Sequence, residues 1–209
     1  IEKAMEIYKA NECVVISDEI WSDLTLPGFK HIPTQSVSKD ARERTIALYA
    51  PSKTFNLAGL QISNIFIPNE KLRKAFQTEI DKTGYDEPNA LGIVACEAAY
   101  RAGEDWLDQL RAYLLKNLNF LRNFLQEKIP QIHLVEPEGT YLVWLDCSEL
   151  GITGKELDQF IVDKAGLWLD GGSMFGPSGA AFQRVNIACP RATLQLALDK
   201  LKTAIDGLK

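Results

Sequence analysis

The first half of the chain contains short, continuous apolar runs that are separated by polar turns and amphipathic segments. Three of these runs have the length and composition of strands, and they lie at residues 13–16, 44–50 and 62–67. Continuous apolar strands are typical of parallel sheets that are buried between helices on both faces. The first half is therefore predicted to form an α/β unit with a mostly parallel sheet.

Apolar residues that recur every three or four positions predict the helices. These segments are residues 1–10, 70–82, 88–102 and 104–129. Asn69 can cap the second segment, and Pro130 ends the fourth, which carries a continuous stripe of leucines. The long fourth helix is predicted to connect the two halves of the chain.

Beyond residue 130, short strands and helices alternate, which predicts a smaller α+β unit. The predicted strands are residues 132–135, 141–145, 167–169 and 182–188. The predicted helices are residues 153–165, where Thr153 and Glu156 resemble a capping box, and residues 192–208. We place the domain boundary between residues 103 and 104, so that the second part begins with the long helix.

Composition and charge narrow the possible functions. The net charge is −5 and the sequence has no basic stripe, which argues against nucleic acid or an anionic membrane as a partner. No apolar run approaches the ~20 residues that span a bilayer.

The four cysteines are scattered without a C-x-x-C spacing, which predicts reduced thiols in a cytoplasmic protein. His31 and His133 stand alone, so no metal site is predicted.

Asp18 and Lys53 carry side chains that could take part in catalysis or cofactor binding, and each follows a predicted apolar strand. In open α/β sheets, ligands bind beside the carboxyl ends of the strands, so both side chains can face one crevice. A lysine there can form a Schiff base with an aldehyde, and a carboxylate can keep a pyridine nitrogen protonated. This pair therefore points to pyridoxal 5′-phosphate (PLP) chemistry. The alternatives are a turn or helix-cap role for Asp18 and a solvated surface position for Lys53.

The segments around both residues resemble fold-type-I PLP enzymes of the class I/II aminotransferase superfamily. The segments concerned are residues 17–24, 52–60, 171–176 and 182–191. They resemble in particular the branch of MalY/PatB-type cystathionine β-lyases, which are carbon–sulfur (C–S) lyases. The resemblance covers the whole chain but only the C-terminal half of a family member. It implies that residues 1–103 are the C-terminal part of a PLP-binding major domain.

The resemblance also implies a role for each candidate residue. Lys53 would be the Schiff-base lysine and the general base at the substrate Cα, and Asp18 would hold the pyridine nitrogen protonated. Trp21 and Ser52 would contact the cofactor, Ser52 at its phosphate. Arg184 would bind the substrate α-carboxylate with its planar guanidinium fork. The enzyme implied is a cytoplasmic homodimer acting on an amino acid.

Three positions depart from the pattern of many aminotransferases. Trp21 replaces a tyrosine that donates to the phenolic oxygen of the cofactor, and an indole N–H can donate but cannot accept. Gln61 replaces a phosphate-binding arginine, and Ala50 replaces a serine. These departures favour the lyase branch over amino transfer.

The function expected from these residues is a PLP-dependent β-lyase that cleaves a sulfur amino acid to a thiol, pyruvate and ammonia. An aminotransferase is the alternative enzyme, because it shares the early steps. A non-catalytic regulatory module and an inert truncated fragment are the further alternatives. The first residue, Ile1, lies within a helical pattern, so we expect that an N-terminal half with further cofactor contacts is absent from this sequence.

Overall fold

The computed structural model describes residues 1–85 and 87–208. The chain divides into two compact units, Ile1–Gln109 and Leu110–Lys209. The domain boundary that we place between residues 103 and 104 stays a prediction. The α/β character of the first part and the α+β character of the second are both present.

Unit 1 contains three strands, the helices predicted at residues 1–10, 70–82 and 88–102, and two short helices that the sequence did not predict. Its strands are β1 (Val15–Asp18), β2 (Thr45–Tyr49) and β3 (Asn64–Phe66). Its helices are α1 (Glu2–Ala10), α2 (Lys39–Arg44), α3 (Pro51–Thr54), α4 (Glu70–Thr83) and α5 (Ala90–Ala102). The long helix α6 (Glu104–Lys128) follows, close to the predicted bounds. Asn69 caps α4 as predicted, because its side chain accepts a hydrogen bond from the backbone N–H of Leu72.

The sheet of unit 1 has the order β1-β2-β3 and is mixed rather than mostly parallel. Strands β1 and β2 are parallel, with Asp18 opposite Leu48. Strand β3 runs antiparallel to β2, with Asn64 opposite Tyr49. The connection from β2 to β3 contains only short helical turns. A short connection can join two antiparallel neighbours, whereas parallel neighbours need a longer crossover connection.

The central strand β2 is more deeply buried than its neighbour β1. Strand β2 is buried over Thr45, Ile46 and Ala47, as a strand with two neighbours should be. In β1, however, Ile16 is 69% exposed, and burial alternates along the strand. The expectation that β1 is covered on both faces is therefore wrong for the part of the chain that the structure describes. The apolar run of β1 has the composition of a strand that is buried on both faces. In the described sheet, however, β1 is an edge strand.

Unit 2 forms an antiparallel sheet with helices packed around an apolar core. Its strands are β4 (His133–Val135), β5 (Leu142–Asp146), β6 (Asp170–Gly171) and β7 (Phe182–Asn186), in the order β4-β5-β7-β6. Its helices are the C-terminal part of α6, α7 (Lys155–Asp163) and α8 (Arg191–Asp206). The leucine stripe of α6 is core packing, since Leu114, Leu118, Leu121 and Leu125 are buried.

Two local predictions in unit 2 are wrong. Residues 167–169 are not a strand, because pairing with β7 begins only at Asp170. Thr153 and Glu156 do not form a capping box. The residue at the N-cap of α7 is Gly154, with φ +58° and no side-chain cap, so the helix starts later than the capping pattern requires.

Two general findings concern the described residues. Within residues 1–85 and 87–208, no helix is both long and apolar enough to cross a bilayer. In the same ranges, no three His, Cys, Asp or Glu side chains lie together as potential metal ligands.

Candidate active site

Asp18 and Lys53 lie at the same edge of the unit 1 sheet. Asp18 is the last residue of β1, and Lys53 belongs to α3, which follows β2 after Ala50 alone. Because β1 and β2 are parallel, their carboxyl ends point to one edge. The structure thus places an amine and a carboxylate beside two neighbouring strand ends, in the region where the sequence predicts the crevice.

The side chain of Lys53 is half-buried and lies over an aromatic ring. Its Nζ atom is 5.9 Å from the centre of the Trp21 ring, within the range of a cation–π contact. Trp21 follows Asp18 by three residues, so the segment after β1 supplies both the carboxylate and the ring. The structure therefore brings Lys53 and Trp21 together, whereas the sequence predicts Trp21 only as a cofactor contact.

Buried neighbours fix the short helix that carries Lys53. Thr54 is fully buried, and its hydroxyl donates to Asp23 Oδ2 at 2.9 Å. The next residue, Phe55, packs against Tyr100 and Trp106 with ring centres 6.0 and 5.7 Å apart. These contacts join α3 to the segment after β1 and to the helices that follow, so the backbone that carries Lys53 is held on two sides.

Asp18 presents its carboxylate to solvent. Its Oδ1 atom accepts a hydrogen bond from the backbone N–H of Ile20 at 3.2 Å, the pattern of an Asx turn. The side chain is exposed and remains accessible to a ligand. The turn role considered for Asp18 is therefore present and is compatible with a binding role.

A buried carboxylate that the sequence had not indicated lies directly beside Asp18. Glu19 is only 5% exposed. Its Oε1 atom accepts hydrogen bonds from the Ser17 hydroxyl and the Thr34 N–H, at 2.9 and 3.0 Å. Its Oε2 atom lies 2.6 Å from the Tyr49 hydroxyl, which donates to it, and 2.7 Å from His31 Nε2. One side chain therefore ties the end of β1 to β2 and to the loop between them.

Burial and hydrogen bonding act in opposite directions on this network. Burial alone would raise the pKa of Glu19, but the hydrogen bonds from Tyr49, His31, Thr34 and Ser17 outweigh it and lower that pKa. For Tyr49, burial and the bond to the Glu19 carboxylate both raise the pKa of the phenol. Glu19 is therefore held as a carboxylate and Tyr49 as a neutral donor. No local pattern indicated this, because its partners are far apart in sequence.

Two of the three positions that depart from the aminotransferase pattern, Ala50 and Gln61, lie before and after helix α3. Ser52 is half-buried in α3, while Ala50 is buried at the N-cap of that helix and has no hydroxyl. Gln61 is exposed and has a left-handed backbone, with φ +50°, at the end of a short 3-10 turn. Ser52 therefore carries the hydroxyl of α3 that is only partly buried, whereas the hydroxyl of Thr54 is buried against Asp23.

Arg184, the predicted carboxylate-binding residue, lies on β7 in unit 2. Its Nε and Nη2 atoms both donate to Asp170 Oδ2, at 3.0 and 2.7 Å. Its guanidinium carbon is 4.7 Å from the centre of the Phe175 ring. Its role toward a substrate stays a prediction, as do the cofactor roles of Asp18, Trp21, Ser52 and Lys53.

Comparison with known proteins identifies the family. The family model "Aminotransferase class I and II" matches residues 1–201. The chain belongs to the class I and II aminotransferase family. The family resemblance found in the sequence is thereby confirmed.

Relatives within this family include C–S lyases. Cystathionine β-lyase PatB of Bacillus subtilis (strain 168) is 41% identical over 203 residues, which are 97% of this chain and 52% of PatB. The structure of cystalysin from Treponema denticola, which contains PLP, matches with a TM-score of 0.96 and 36% identity. That match covers 100% of this chain and 53% of cystalysin.

A third relative is a solved C–S lyase with bound PLP, from Staphylococcus hominis. It matches with a TM-score of 0.85 and 36% identity, over 97% of this chain and 49% of its own. The chain thus spans about half the length of the relatives that it matches.

Proposed function

We propose that the whole protein is a PLP-dependent C–S β-lyase of the cystathionine β-lyase type. It converts a sulfur amino acid and water to a thiol, pyruvate and ammonia. The observation that carries this proposal is the placement of Lys53 and Asp18 beside the carboxyl ends of two paired parallel strands, in a chain of this family. The similarity to PatB and to the S. hominis C–S lyase supports the lyase over the aminotransferase.

The described residues fit PLP by the chemistry of their side chains. Lys53 offers a primary amine for the cofactor aldehyde, and the exposed carboxylate of Asp18 can accept a hydrogen bond from a protonated pyridine nitrogen. Ser52 offers a hydroxyl to the phosphate, and the Trp21 ring lies beside the Lys53 amine. When bound, PLP supplies an electron sink for the negative charge that forms at the substrate Cα.

Asp18 and Lys53 divide the chemistry between them. The Asp18 carboxylate stabilises positive charge on a ring nitrogen, and its Asx turn fixes the direction of the side chain. The Lys53 amine would accept the proton from the substrate Cα. The same ammonium can then donate a proton to the departing thiolate, which restores the amine. Arg184 binds the substrate α-carboxylate and orients the Cα–H bond.

Product analysis separates the lyase from the aminotransferase. The complete protein, incubated with PLP and cystathionine, is expected to release pyruvate and ammonia without an added 2-oxo acid. Pyruvate is measured by coupled reduction and ammonia by a separate assay. A strict requirement for a 2-oxo acid would instead identify an aminotransferase that uses the same lysine.

Lys53→Ala is expected to abolish pyruvate release and the near-visible absorbance band of the PLP-bound protein, because this variant lacks the amine that binds the cofactor and takes the proton. Activity should fall by about a thousandfold or more. Lys71→Ala, which removes an exposed lysine of α4, is the matched control and should retain both signals. An unchanged absorbance band in Lys53→Ala would refute the assignment of the lysine.

We also propose a cytoplasmic homodimer. The four cysteines are free thiols, and Cys96 and Cys147 are buried, which suits a reducing compartment. The homodimer follows only from the family resemblance. Light scattering of the complete protein is expected to give twice the mass of one chain, and a monomeric mass would contradict this part of the proposal.

A further inference from the structure

A row of side chains crosses the unit 2 sheet at Arg184. In the antiparallel pairing, Arg184 of β7 lies opposite Asp170 of β6 on one side and opposite Trp144 of β5 on the other. Directly opposed residues project from the same face of a sheet, so the three side chains are neighbours. The pairing of the two strands therefore places Arg184 beside Asp170. Two mobile surface side chains would lack this constraint from the backbone.

The contacts of Arg184 occupy one edge of its guanidinium group. Nε and Nη2 both donate to Asp170 Oδ2. Within residues 1–85 and 87–208, Nη1 makes no hydrogen bond, so the edge formed by Nη1 and Nη2 still has N–H groups to donate. A carboxylate binds a guanidinium edge through two parallel hydrogen bonds. Asp170 thus holds one edge and leaves the other for a second carboxylate.

Aromatic rings hold the guanidinium plane. Phe175 lies 4.7 Å from the guanidinium carbon of Arg184, and its ring meets that of Trp144 edge-on with centres 5.4 Å apart. Trp144 also stacks on Phe182 at 5.4 Å and an interplanar angle of 11°. This arrangement restricts rotation of Arg184 about its long side chain, in addition to the ion pair.

Glycines position the segment that carries Asp170 and Phe175. At Gly171, a Cβ atom would collide with Asp158, and at Gly172 it would collide with the backbone of Gly179. Asp158 in turn accepts a hydrogen bond of 2.7 Å from the buried Gln183. Residues 171 and 172 are therefore packed against α7 and against the backbone of Gly179 too closely for side chains at these positions. Asp170 is placed by this packing and not only by its attraction to Arg184.

We propose that Asp170 is a positioning residue for the substrate carboxylate, acting through Arg184. It holds the guanidinium by one edge so that the opposite edge meets the α-carboxylate of an amino acid, and Phe175 supports the same orientation. The inference rests on the proposed function, in which Arg184 binds that carboxylate. Electrostatics alone would act in the opposite direction, because the negative charge of Asp170 repels an incoming anion. The two effects differ in sign, so they can be separated.

Steady-state kinetics of the complete protein with cystathionine and PLP test the proposal. Asp170→Asn, which keeps the shape but removes the charge that anchors Arg184, is expected to raise KM by about fivefold with kcat changed by less than about twofold. Asp170→Glu should recover part of the loss because it restores the carboxylate. Phe175→Leu should raise KM by about twofold to threefold. The absorbance band of bound PLP should be unchanged in all three variants.

A matched control removes another arginine–carboxylate contact from the same unit. Arg122 Nε and Nη2 donate to the two oxygens of Glu136, both at 2.7 Å. Glu136→Gln should leave KM and kcat unchanged, because no role in binding is assigned to that pair. Titration with L-alanine, which carries an α-carboxylate but no β-leaving group, provides a binding measurement through the PLP spectrum. The dissociation constant of Asp170→Asn should rise in parallel with KM.

The outcomes distinguish this inference from the proposed function. If Arg184→Ala raises KM strongly but Asp170→Asn leaves KM unchanged or lowers it, the positioning role is wrong and the role of Arg184 stands. If Arg184→Ala has no effect on KM or on L-alanine binding, the substrate role of Arg184 is wrong and the positioning role falls with it. If Lys53→Ala retains activity, the proposed function itself fails.

Discussion

At the scale of single residues, Glu19 shows how one buried side chain can organise a site. Its carboxylate accepts hydrogen bonds from groups on β1, β2 and the loop between them, and it is adjacent in sequence to Asp18. A buried carboxylate without partners would be costly, whereas one with several donors stabilises the folded state. The direction of the Asp18 backbone is thus held by the residue that follows it.

Glu19 should make stability depend on pH in mild acid. Its ordinary pKa is 4.5, and its pKa in the folded protein is lower. Above pH 4.5 its contribution to stability is complete. As the pH falls from 4.5 toward the lower folded pKa, the unfolded chain takes up a proton that the folded protein does not, and stability is lost.

Glu19→Gln tests this dependence by chemical denaturation between pH 3 and 7. At pH 7 the variant is expected to lose about 1–3 kcal/mol of unfolding free energy, because charge-assisted hydrogen bonds are replaced by weaker ones. The difference from the wild type should shrink as the pH falls below 4.5. Glu43→Gln, at an exposed position of α2, serves as the control. A difference that stays constant across this pH range would contradict the stabilising role of the Glu19 charge.

At the scale of elements, a buried asparagine joins helix α6 to the end of the unit 2 sheet. Asn117 is fully buried, and its Nδ2 atom donates to the carbonyl oxygens of Ile187 and Cys189 at 2.8 and 2.9 Å. Its Oδ1 atom accepts from Arg191 Nε at 3.0 Å. The side chain thus satisfies two backbone carbonyl groups in the connection between β7 and α8.

Asn117→Ala is expected to destabilise the protein by about 2–3 kcal/mol, because one buried and one partly buried carbonyl group lose their donor. Guanidinium or urea denaturation followed by circular dichroism provides the measurement. Asn123→Ala, at an exposed position of the same helix, should change stability by less than about 0.5 kcal/mol. Equal effects of the two substitutions would show that the hydrogen bonds of Asn117 do not hold the helix to the sheet.

At the scale of the whole molecule, the two units differ in how completely they bury apolar side chains. In unit 2, buried leucines, buried isoleucines and Val143 contribute to the apolar core from helices and strands. In unit 1, several large apolar side chains of β1 and α5 are exposed, among them Ile16, Leu91 and Val94. Exposed apolar residues of this kind are typical of surfaces that are covered by other protein.

Residues 1–209 expressed alone are expected to bind PLP at least about tenfold more weakly than the complete protein. The chain spans about half the length of its relatives, and we expect the remaining part to supply further cofactor contacts. Titration of PLP into both proteins, followed at the absorbance band of the bound cofactor, measures the difference. Equal affinity would show that the residues described here form a sufficient cofactor site.

Much of the secondary structure and of the candidate site could be predicted from local patterns. The apolar runs indicated β2 and β3, the leucine stripe indicated α6, and Asn69 marked the start of α4. Asp18 and Lys53 could be placed beside strand ends because each lies within three residues of the end of an apolar run. These features depend on residues that are close in sequence, so the sequence alone determined them.

The tertiary structure decided what depends on distant partners. It set the antiparallel direction of β3, the exposed face of β1, the network around Glu19 and the pairing of Asp170 with Arg184. Strand direction and burial depend on which segments become neighbours in the fold. The hydrogen bond of Tyr49 with Glu19 joins residues 30 positions apart, and such a bond produces no periodic pattern in the sequence. Local pattern therefore identified the chemical groups, and packing determined what holds them in place.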